Sequence, residues 1–203
     1  MYPSVVGATL NVIRKDAFSR TAWKNGGGVT HEAIRVPTTG EPFLWRVSVA
    51  HIEKSGPFSD FAGYERKMLL LQGRGLNLQF RDGRRSKLRE VGDWVAFDGG
   101  LSADCELIDG PCVDLNLMTL KSLGTAVRVE RLHGGVAATA RGGETVLIFS
   151  LAGALALADE TGATTRLDPW DLAVLSQGAV RLKTLESAAL SVPNAVFIAT
   201  ISQ

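Results

Sequence analysis

Two stretches of the sequence resemble each other: Leu69 to Phe80 (LLLQGRGLNLQF) and Ile148 to Asp159 (IFSLAGALALAD) align at an offset of roughly 80 residues. Further on, Val91 to Phe97 aligns with Pro169 to Leu175 at nearly the same offset. Each member of the second pair has an acidic residue just before a short apolar run. Self-similarity at this spacing indicates two similar structural units in tandem.

Alternation of period two and frequent glycines dominate the chain, and a helical pattern is limited to a short turn near Asp16 to Ser19. Short strands at regular spacing are typical of a barrel or sandwich. The predicted strands are Leu10–Ile13, Phe43–His51, Lys67–Gln72, Leu76–Phe80, Trp94–Phe97, Val113–Met118, Thr145–Ser150, Ala154–Ala158, Leu172–Leu175 and Ala195–Ile201.

The order of strands within each repeat suits a double-stranded β-barrel of the jelly-roll, or cupin, type. We therefore predict a mainly β bicupin in which two tandem barrels pack together as one compact unit. Residues 1–122 would form the first barrel and contain a ligand pocket. Residues 123–203 would form a second barrel that is mainly structural.

Composition excludes several classes of partner. The 203 residues include 22 basic and 21 acidic side chains, a net charge of +1, which leaves no footprint for nucleic acid or an anionic membrane. The N-terminus lacks a secretory pattern, and no apolar run is long enough to cross a bilayer. Two cysteines, Cys105 and Cys112, suit a reducing compartment. We expect a cytoplasmic protein.

The metal-binding pattern of cupins is incomplete. That pattern has HxH with a downstream Glu, followed by Gly-x5-Pro-x-Gly-x2-His-x3-Asn. Here Gly92 and Gly100 keep the spacing, but Asp98, Ala103 and Leu107 stand at the proline, histidine and asparagine positions.

The chain has three histidines, His31, His51 and His133, and they form neither HxH nor a helical i, i+4 pair. A metal held by several imidazoles is therefore disfavoured. Each histidine is more simply a hydrogen-bonded strand or loop residue. We expect no metal and no other cofactor.

Three segments resemble the HutD family, also called Ves, of bicupins associated with bacterial histidine utilisation: residues 23–32 (WKNGGGVTHE), 43–73 and 109–118. They lie in the first 120 or so residues, and the second half resembles the family only through the barrel repeat. The resemblance implies a metal-free bicupin, without an assigned enzymatic activity, that restrains expression or flux of histidine degradation. It also implies binding of a small acidic intermediate of the urocanate or N-formylglutamate type.

Polar side chains share faces on two predicted strands. Alternation in FLWRVSVAHI directs Arg46 and Ser48 away from the bulky apolar face, and alternation in VDLNLM groups Asp114 with Asn116. Polar groups inside a barrel are costly to desolvate unless they bind each other or a polar ligand. They would line a pocket; the alternatives are a solvent-facing surface or a structural ion pair between Arg46 and Asp114.

A turn containing Phe58 precedes Arg66, and together they would form the rim of this pocket. Arginine presents a planar fork that suits a carboxylate, so Arg46 and Arg66 would select an acidic metabolite. The alternative for Arg66 is an ordinary surface position.

The glycine-rich stretch WKNGGG fits neither the Walker nor the Rossmann phosphate loop. It is either a plain turn or a loop that brings Trp23, Lys24, Asn25 and Thr30 beside the pocket. In the second case its glycine amides would donate to an anion.

Nothing in the sequence marks the chain as an enzyme, because the candidate bases Glu32, His51 and Asp114 have no distinctive spacing. The alternative function is a metal-independent isomerase or hydrolase of a related carboxylic acid, with Glu32 or His51 as base. A third alternative is a scaffold whose pocket is vestigial. The expected partner is a small anionic metabolite, and a homo-oligomer remains open.

Overall fold

The computed structural model describes residues 8–40, 42–132, 136–185 and 195–202. These residues form eighteen β-strands and one 3-10 turn, Lys15–Ala17, next to the predicted helical turn. The mainly β prediction is confirmed. Within the same residues no helix has the length and apolar character needed to span a membrane.

The chain divides into two compact units. The first unit is Phe18–Leu123, and the second contains the described residues of Met1–Ala17 and Gly124–Gln203. The N-terminal residues belong to the second unit because strand β1 (Thr9–Ile13) pairs with a strand near the C-terminus.

The first unit contains ten strands in two antiparallel sheets. The strands are β2 (Ser19–Ala22), β3 (Gly28–Val36), β4 (Trp45–Ile52), β5 (Gly56–Pro57), β6 (Tyr64–Gln72), β7 (Leu76–Phe80), β8 (Arg85–Leu88), β9 (Trp94–Asp98), β10 (Ala103–Leu107) and β11 (Cys112–Leu120). The larger sheet has the order β2, β3, β4, β11, β6, β9, and the smaller has the order β5, β10, β7, β8.

The second unit is built on one eight-stranded sheet. Its further strands are β12 (Gly124–Arg131), β13 (Val136–Ala140), β14 (Glu144–Ala152), β15 (Leu155–Asp159), β16 (Thr164–Leu167), β17 (Leu172–Thr184) and β18 (Ala195–Ser202). The order is β12, β18, β14, β17, β15, β16, and β1 and β13 also pair with β17.

The pairing of the strands confirms the repeat predicted from the sequence. Strand β11 lies between β4 and β6, and β18 lies between β12 and β14 in the same way. In the first unit β9 pairs with β6 while β10 pairs with β7; in the second unit the long strand β17 makes both pairings, with β14 and β15.

The repeat extends to single hydrogen bonds at the acidic residue before the strand. The Asp93 carboxylate accepts the amide of Glu90 at 3.0 Å, and the Asp171 carboxylate accepts the amide of Asp168 at 3.1 Å. In both units this carboxylate fixes the turn that leads into the next strand.

The inner face of the larger sheet changes character along its strands. At one end, side chains from both sheets form an apolar core that includes Ile52, Met68, Leu70 and Leu78. At the other end, the same faces of β4, β6 and β11 carry polar side chains. The second unit has apolar side chains at Val146, Ile148, Val196 and Ile198 of the matching faces, and polar ones, among them Glu144 and Thr200, at the end of its sheet.

A tight turn joins β2 to β3 and depends on Gly28. A Cβ atom at Gly28 would lie 2.3 Å from the carbonyl oxygen of His51 and 3.2 Å from the Trp23 ring. Because Gly28 is paired with Ile52 in the sheet, the backbone has little freedom to move away.

We expect Gly28→Ala to destabilise the protein by about 1–3 kcal/mol, because the added methyl overlaps a neighbouring strand. Gly142→Ala is the matched control, since a Cβ at Gly142 meets no atom within 4 Å. Chemical denaturation of both variants measures the difference. Equal stability of the two variants would contradict the proposed crowding at Gly28.

Candidate functional site

The first unit contains a cavity of about 450 Å³ at the polar end of its larger sheet. The turn between β2 and β3 and the segment that follows β5 complete its walls. The lining residues are Thr21, Ala22, Trp23, Lys24, Asn25, Thr30, Arg46, Ser48, Ala50, Pro57, Phe58, Ser59, Phe61, Arg66, Asn116 and Met118.

The structure brings nine of the ten predicted site residues together in this lining: Trp23, Lys24, Asn25, Thr30, Arg46, Ser48, Phe58, Arg66 and Asn116. The tenth, Asp114, lies fully buried next to Asn116. Sequence reasoning did not include Thr21, Ala22, Ala50, Pro57, Ser59, Phe61 and Met118 among the site residues. Binding of a ligand by these residues stays a prediction.

Strand pairing sets the positions of the two arginines. Met118 on β11 lies opposite Arg46 on β4 and opposite Arg66 on β6. The backbones of β4 and β6 are therefore about 10 Å apart, two strand spacings, with Met118 between them. Two residues further along β4, Ser48 pairs with Asn116 on β11. Side chains from β4, β11 and β6 therefore follow one another across the floor of the cavity.

Arg66 is the most deeply placed cation of the lining, with 6% of its surface exposed. Its Nε donates a hydrogen bond of 2.7 Å to Asn116 Oδ1, and its guanidinium lies over the rings of Phe58 and Phe97, at 4.7 and 5.5 Å from the ring centres. Its two terminal nitrogens form no hydrogen bond with any residue in the described ranges. They remain available to a guest in the cavity.

Burial lowers the pKa of Arg66 to about 10, and the charge of Arg46 acts in the same direction, whereas Asp114 opposes the shift. The guanidinium is still charged at neutral pH. Because Arg66 is buried, the alternative that it is an ordinary surface residue is wrong.

Asn116 connects Arg66 to Asp114. Its Nδ2 donates to Asp114 Oδ1 at 2.8 Å, while its Oδ1 receives the Arg66 bond. Asp114 Oδ2 is buried and has no hydrogen-bond partner within the described part of the chain. Burial raises the pKa of Asp114 to about 6, although Arg66 and the Asn116 amide both favour the ionised form.

Arg46 is anchored by a different carboxylate. Its Nε lies 2.6 Å from Glu32 Oε2, and both side chains are partly exposed. The alternative of a structural ion pair between Arg46 and Asp114 is therefore not what the structure shows: Arg46 pairs with Glu32, and Asp114 interacts with Arg66. Sequence reasoning missed Glu32 as a partner because the contact depends on how β3 pairs with β4.

Aromatic rings form one wall of the cavity. The Trp23 indole donates from Nε1 to Thr30 Oγ1 at 2.8 Å, and its ring meets Phe58 edge-on, with centres 6.2 Å apart and planes at 86°. Because the indole nitrogen is already bonded, Trp23 offers a guest its apolar surface.

The glycine-rich stretch forms a hairpin turn, and side chains from it also line the cavity. The plain-turn alternative and the pocket-loop alternative are therefore each partly correct. The amide of Gly26 donates to the Trp23 carbonyl, and the amide of Gly27 donates to Asn25 Oδ1. Because both amides donate within the turn, Gly26 and Gly27 do not offer them to an anion in this structure. Lys24 and Asn25 contribute their side chains to the lining instead.

The lining has a strong charge bias. Lys24, Arg46 and Arg66 are cationic, and among the described residues no aspartate or glutamate belongs to the lining. The carboxylates of Glu32 and Asp114 lie outside it, each held by a residue of the lining. Such a cavity favours an anionic guest.

The three candidate bases do not present a free base to the cavity. Glu32 is engaged with Arg46, and Asp114 lies beneath Asn116. His51 follows Ala50 on the opposite face of β4, where its ring is 5.2 Å from that of His31. Burial and the neighbouring His51 lower the pKa of His31.

His133 lies outside the described residues. Within the ranges that the structure does describe, no three histidine, cysteine, aspartate or glutamate side chains are grouped closely enough to hold a metal ion.

Comparisons of sequence place the chain among known proteins. The sequence model of the HutD family matches residues 15–192. An uncharacterised 21.2 kDa protein from the hutC 3′ region of Pseudomonas putida is 43% identical over 110 residues, which cover 54% of this chain and 57% of that protein. Protein Ves from Escherichia fergusonii is 35% identical over 98 residues, 48% of this chain and 51% of Ves. The chain thus spans about half the length of these curated relatives.

Solved structures agree over a longer range. A conserved protein of unknown function from Pseudomonas aeruginosa PAO1 has a TM-score of 0.84 at 29% identity, covering 96% of this chain and 99% of that one. HutD from Pseudomonas fluorescens SBW25, whose structure is described as a formate condition, has a TM-score of 0.76 at 30% identity, covering 96% and 100%.

A more distant likeness concerns the fold alone. Oxalate decarboxylase from Lactobacillus farciminis has a TM-score of 0.64 at 8% identity, covering 100% of this chain and 88% of the decarboxylase. The bicupin prediction is confirmed by this likeness together with the internal repeat. With the family model matching most of its length, the chain belongs to the HutD/Ves family, which is linked to the histidine-utilisation gene region.

Proposed function

We propose that this protein binds a small carboxylate of histidine degradation in the cavity of its first unit and, through that binding, restrains the histidine-utilisation pathway. The guest would be an acid of the urocanate or N-formylglutamate type. The observation that carries the proposal is the guanidinium of Arg66. Its Nε is bonded to Asn116, and its two terminal nitrogens have no hydrogen-bond partner among the described residues.

Arg66 is anchored through Nε by a hydrogen bond to Asn116 Oδ1, whereas Arg46 forms an ion pair with Glu32. Anchoring through Nε leaves the two terminal nitrogens of a guanidinium in the geometry that binds both oxygens of a carboxylate. The guanidinium is held in this position before a guest binds, which reduces the entropic cost of binding.

Size and surface also support a small metabolite. A volume of about 450 Å³ lies in the range of small-molecule sites, which is roughly 300–1,000 Å³. The Trp23 and Phe58 rings supply an apolar wall, and Ser48 and Thr30 supply hydroxyls. A carboxylate with a short apolar or planar body matches this combination better than a fully polar anion such as phosphate.

The regulatory part of the proposal rests on the family. A relative from Pseudomonas putida is named for its place in the hutC 3′ region, and a solved relative is named HutD. A protein that binds a pathway intermediate and lacks a free base in its cavity is suited to report the level of that intermediate.

Isothermal titration calorimetry with urocanate, N-formylglutamate and formiminoglutamate tests the binding. We expect at least one of the three acids to bind. Arg66→Lys should weaken that binding by about tenfold or more, because lysine keeps the charge beside Asp114 but loses the bidentate fork.

The matched control is Arg84→Lys. Arg84 also stacks on a phenylalanine and pairs with an aspartate, but it lies outside the cavity. Its variant should bind like the unmodified protein. If none of the three acids binds the folded protein, the proposed ligand class is overturned.

The regulatory role is tested in cells that carry the corresponding gene deletion and grow on histidine. We expect the unmodified gene and the Arg84→Lys gene to restore normal transcript levels of the histidine-utilisation genes, and the Arg66→Lys gene to leave them raised. Quantitative reverse-transcription PCR measures these levels. Full restoration by Arg66→Lys would favour a scaffold whose cavity has no regulatory role.

A further inference from the structure

We propose that the guest is bound together with one proton: as a carboxylate settles on the terminal nitrogens of Arg66, Asp114 takes up a proton from solvent on Oδ2. This inference rests on the proposed function and adds a role for Asp114, which does not belong to the cavity lining. The proton returns to solvent when the guest leaves.

The geometry makes Asp114 an internal competitor of the guest. The sequence of bonds runs from Arg66 Nε to Asn116 Oδ1, at 2.7 Å, and from Asn116 Nδ2 to Asp114 Oδ1, at 2.8 Å. Asp114 is the buried counter-charge of Arg66. A guest carboxylate on the other side of the guanidinium would supply a second negative charge to the same cation.

Asp114 is poorly equipped to stay ionised once that charge arrives. It is fully buried, and its Oδ2 lacks a hydrogen-bond donor among the residues the structure describes. Arg66, the Asn116 amide and the backbone amides of Ala50 and Asp114 favour its ionised form, and the attraction of Arg66 is the largest of these contributions. A guest that shares Arg66 weakens that attraction, and protonation of Oδ2 removes the resulting repulsion.

The groups that face Asp114 leave it as the titrating residue of this region. Arg66 on β6, with a pKa of about 10, keeps its positive charge at neutral pH. Burial raises the pKa of the Cys105 thiol on β10 to about 12 and also raises the pKa of Cys112, so both thiols stay neutral. Because burial raises the pKa of Asp114 to about 6, Asp114 is mostly ionised at pH 7 and able to accept the proton.

The direction of the pH dependence follows. A guest that raises the proton affinity of Asp114 must bind more tightly when Asp114 is already protonated. We therefore expect affinity to fall as pH rises above 6, by up to about tenfold per pH unit between pH 6 and 8.

N-formylglutamate is the probe, because its carboxylates titrate near pH 4 and keep a constant charge above pH 6. Calorimetric titrations of the unmodified protein at pH 7, in phosphate and in Tris, give the number of protons taken up from the difference in apparent enthalpy. We expect a value approaching one proton per guest. An infrared difference spectrum should show a carboxylic acid carbonyl band appearing on binding.

Asp114→Asn keeps an acceptor for the Asn116 amide but does not titrate. It should bind without proton uptake, with an affinity that is flat from pH 6 to 8, and without the infrared band. Asp109→Asn is the control, because Asp109 is exposed and pairs with Arg74 away from the cavity; this variant should keep the proton uptake.

The outcomes separate the two proposals. Binding of N-formylglutamate by the unmodified protein with no proton uptake and no pH dependence overturns the role of Asp114 and leaves carboxylate binding in place. Proton uptake that persists in Asp114→Asn assigns the proton elsewhere and also overturns it. Failure of urocanate, N-formylglutamate and formiminoglutamate to bind at any pH overturns the proposed function and this inference together.

Discussion

The site depends on a buried chain of three side chains, in which Arg66 donates to Asn116 and Asn116 donates to Asp114. Placing an arginine and an aspartate inside a β sandwich is expensive, because both lose their hydration. The structure offsets this cost by surrounding Arg66 with two aromatic rings and by linking both charges through one amide. The same chain holds the guanidinium through Nε, and its terminal nitrogens have no hydrogen-bond partner among the described residues.

The internal repeat shows what this chain adds to the fold. Both units use the same order of strands and the same carboxylate-fixed turn, at Asp93 and Asp171. In the second unit Val146 and Ile198 stand on the faces that match the site and belong to the apolar core. At the corresponding positions the first unit has polar side chains, and these line a cavity instead of packing into an apolar core. The same strand order thus carries an apolar core at these positions in one unit and a polar cavity in the other.

The sequence predicted the part of this arrangement that depends on strand alternation. The faces carrying Arg46 and Asn116 followed from period two, and each of the ten predicted strands overlaps an observed strand. Of the eight strands that were not predicted, β2, β5, β8, β10, β13 and β16 have five residues or fewer, whereas β3 and β12 are longer. Pairing between distant strands has no local signal, so the sequence could not place Glu32 against Arg46. The sequence placed Asp114 and Arg66 at the predicted pocket but could not show how deeply each is buried, because burial depends on how the two sheets pack.

The central claim is that Arg66 receives a carboxylate in this cavity, and a crystal structure with the tightest-binding of the three acids tests it most directly. The account predicts one carboxylate of the guest with both oxygens at about 2.7–2.9 Å from the terminal nitrogens of Arg66, while Nε stays bonded to Asn116. A guest located elsewhere on the protein, or an Arg66 whose terminal nitrogens bond to the protein itself, would contradict it.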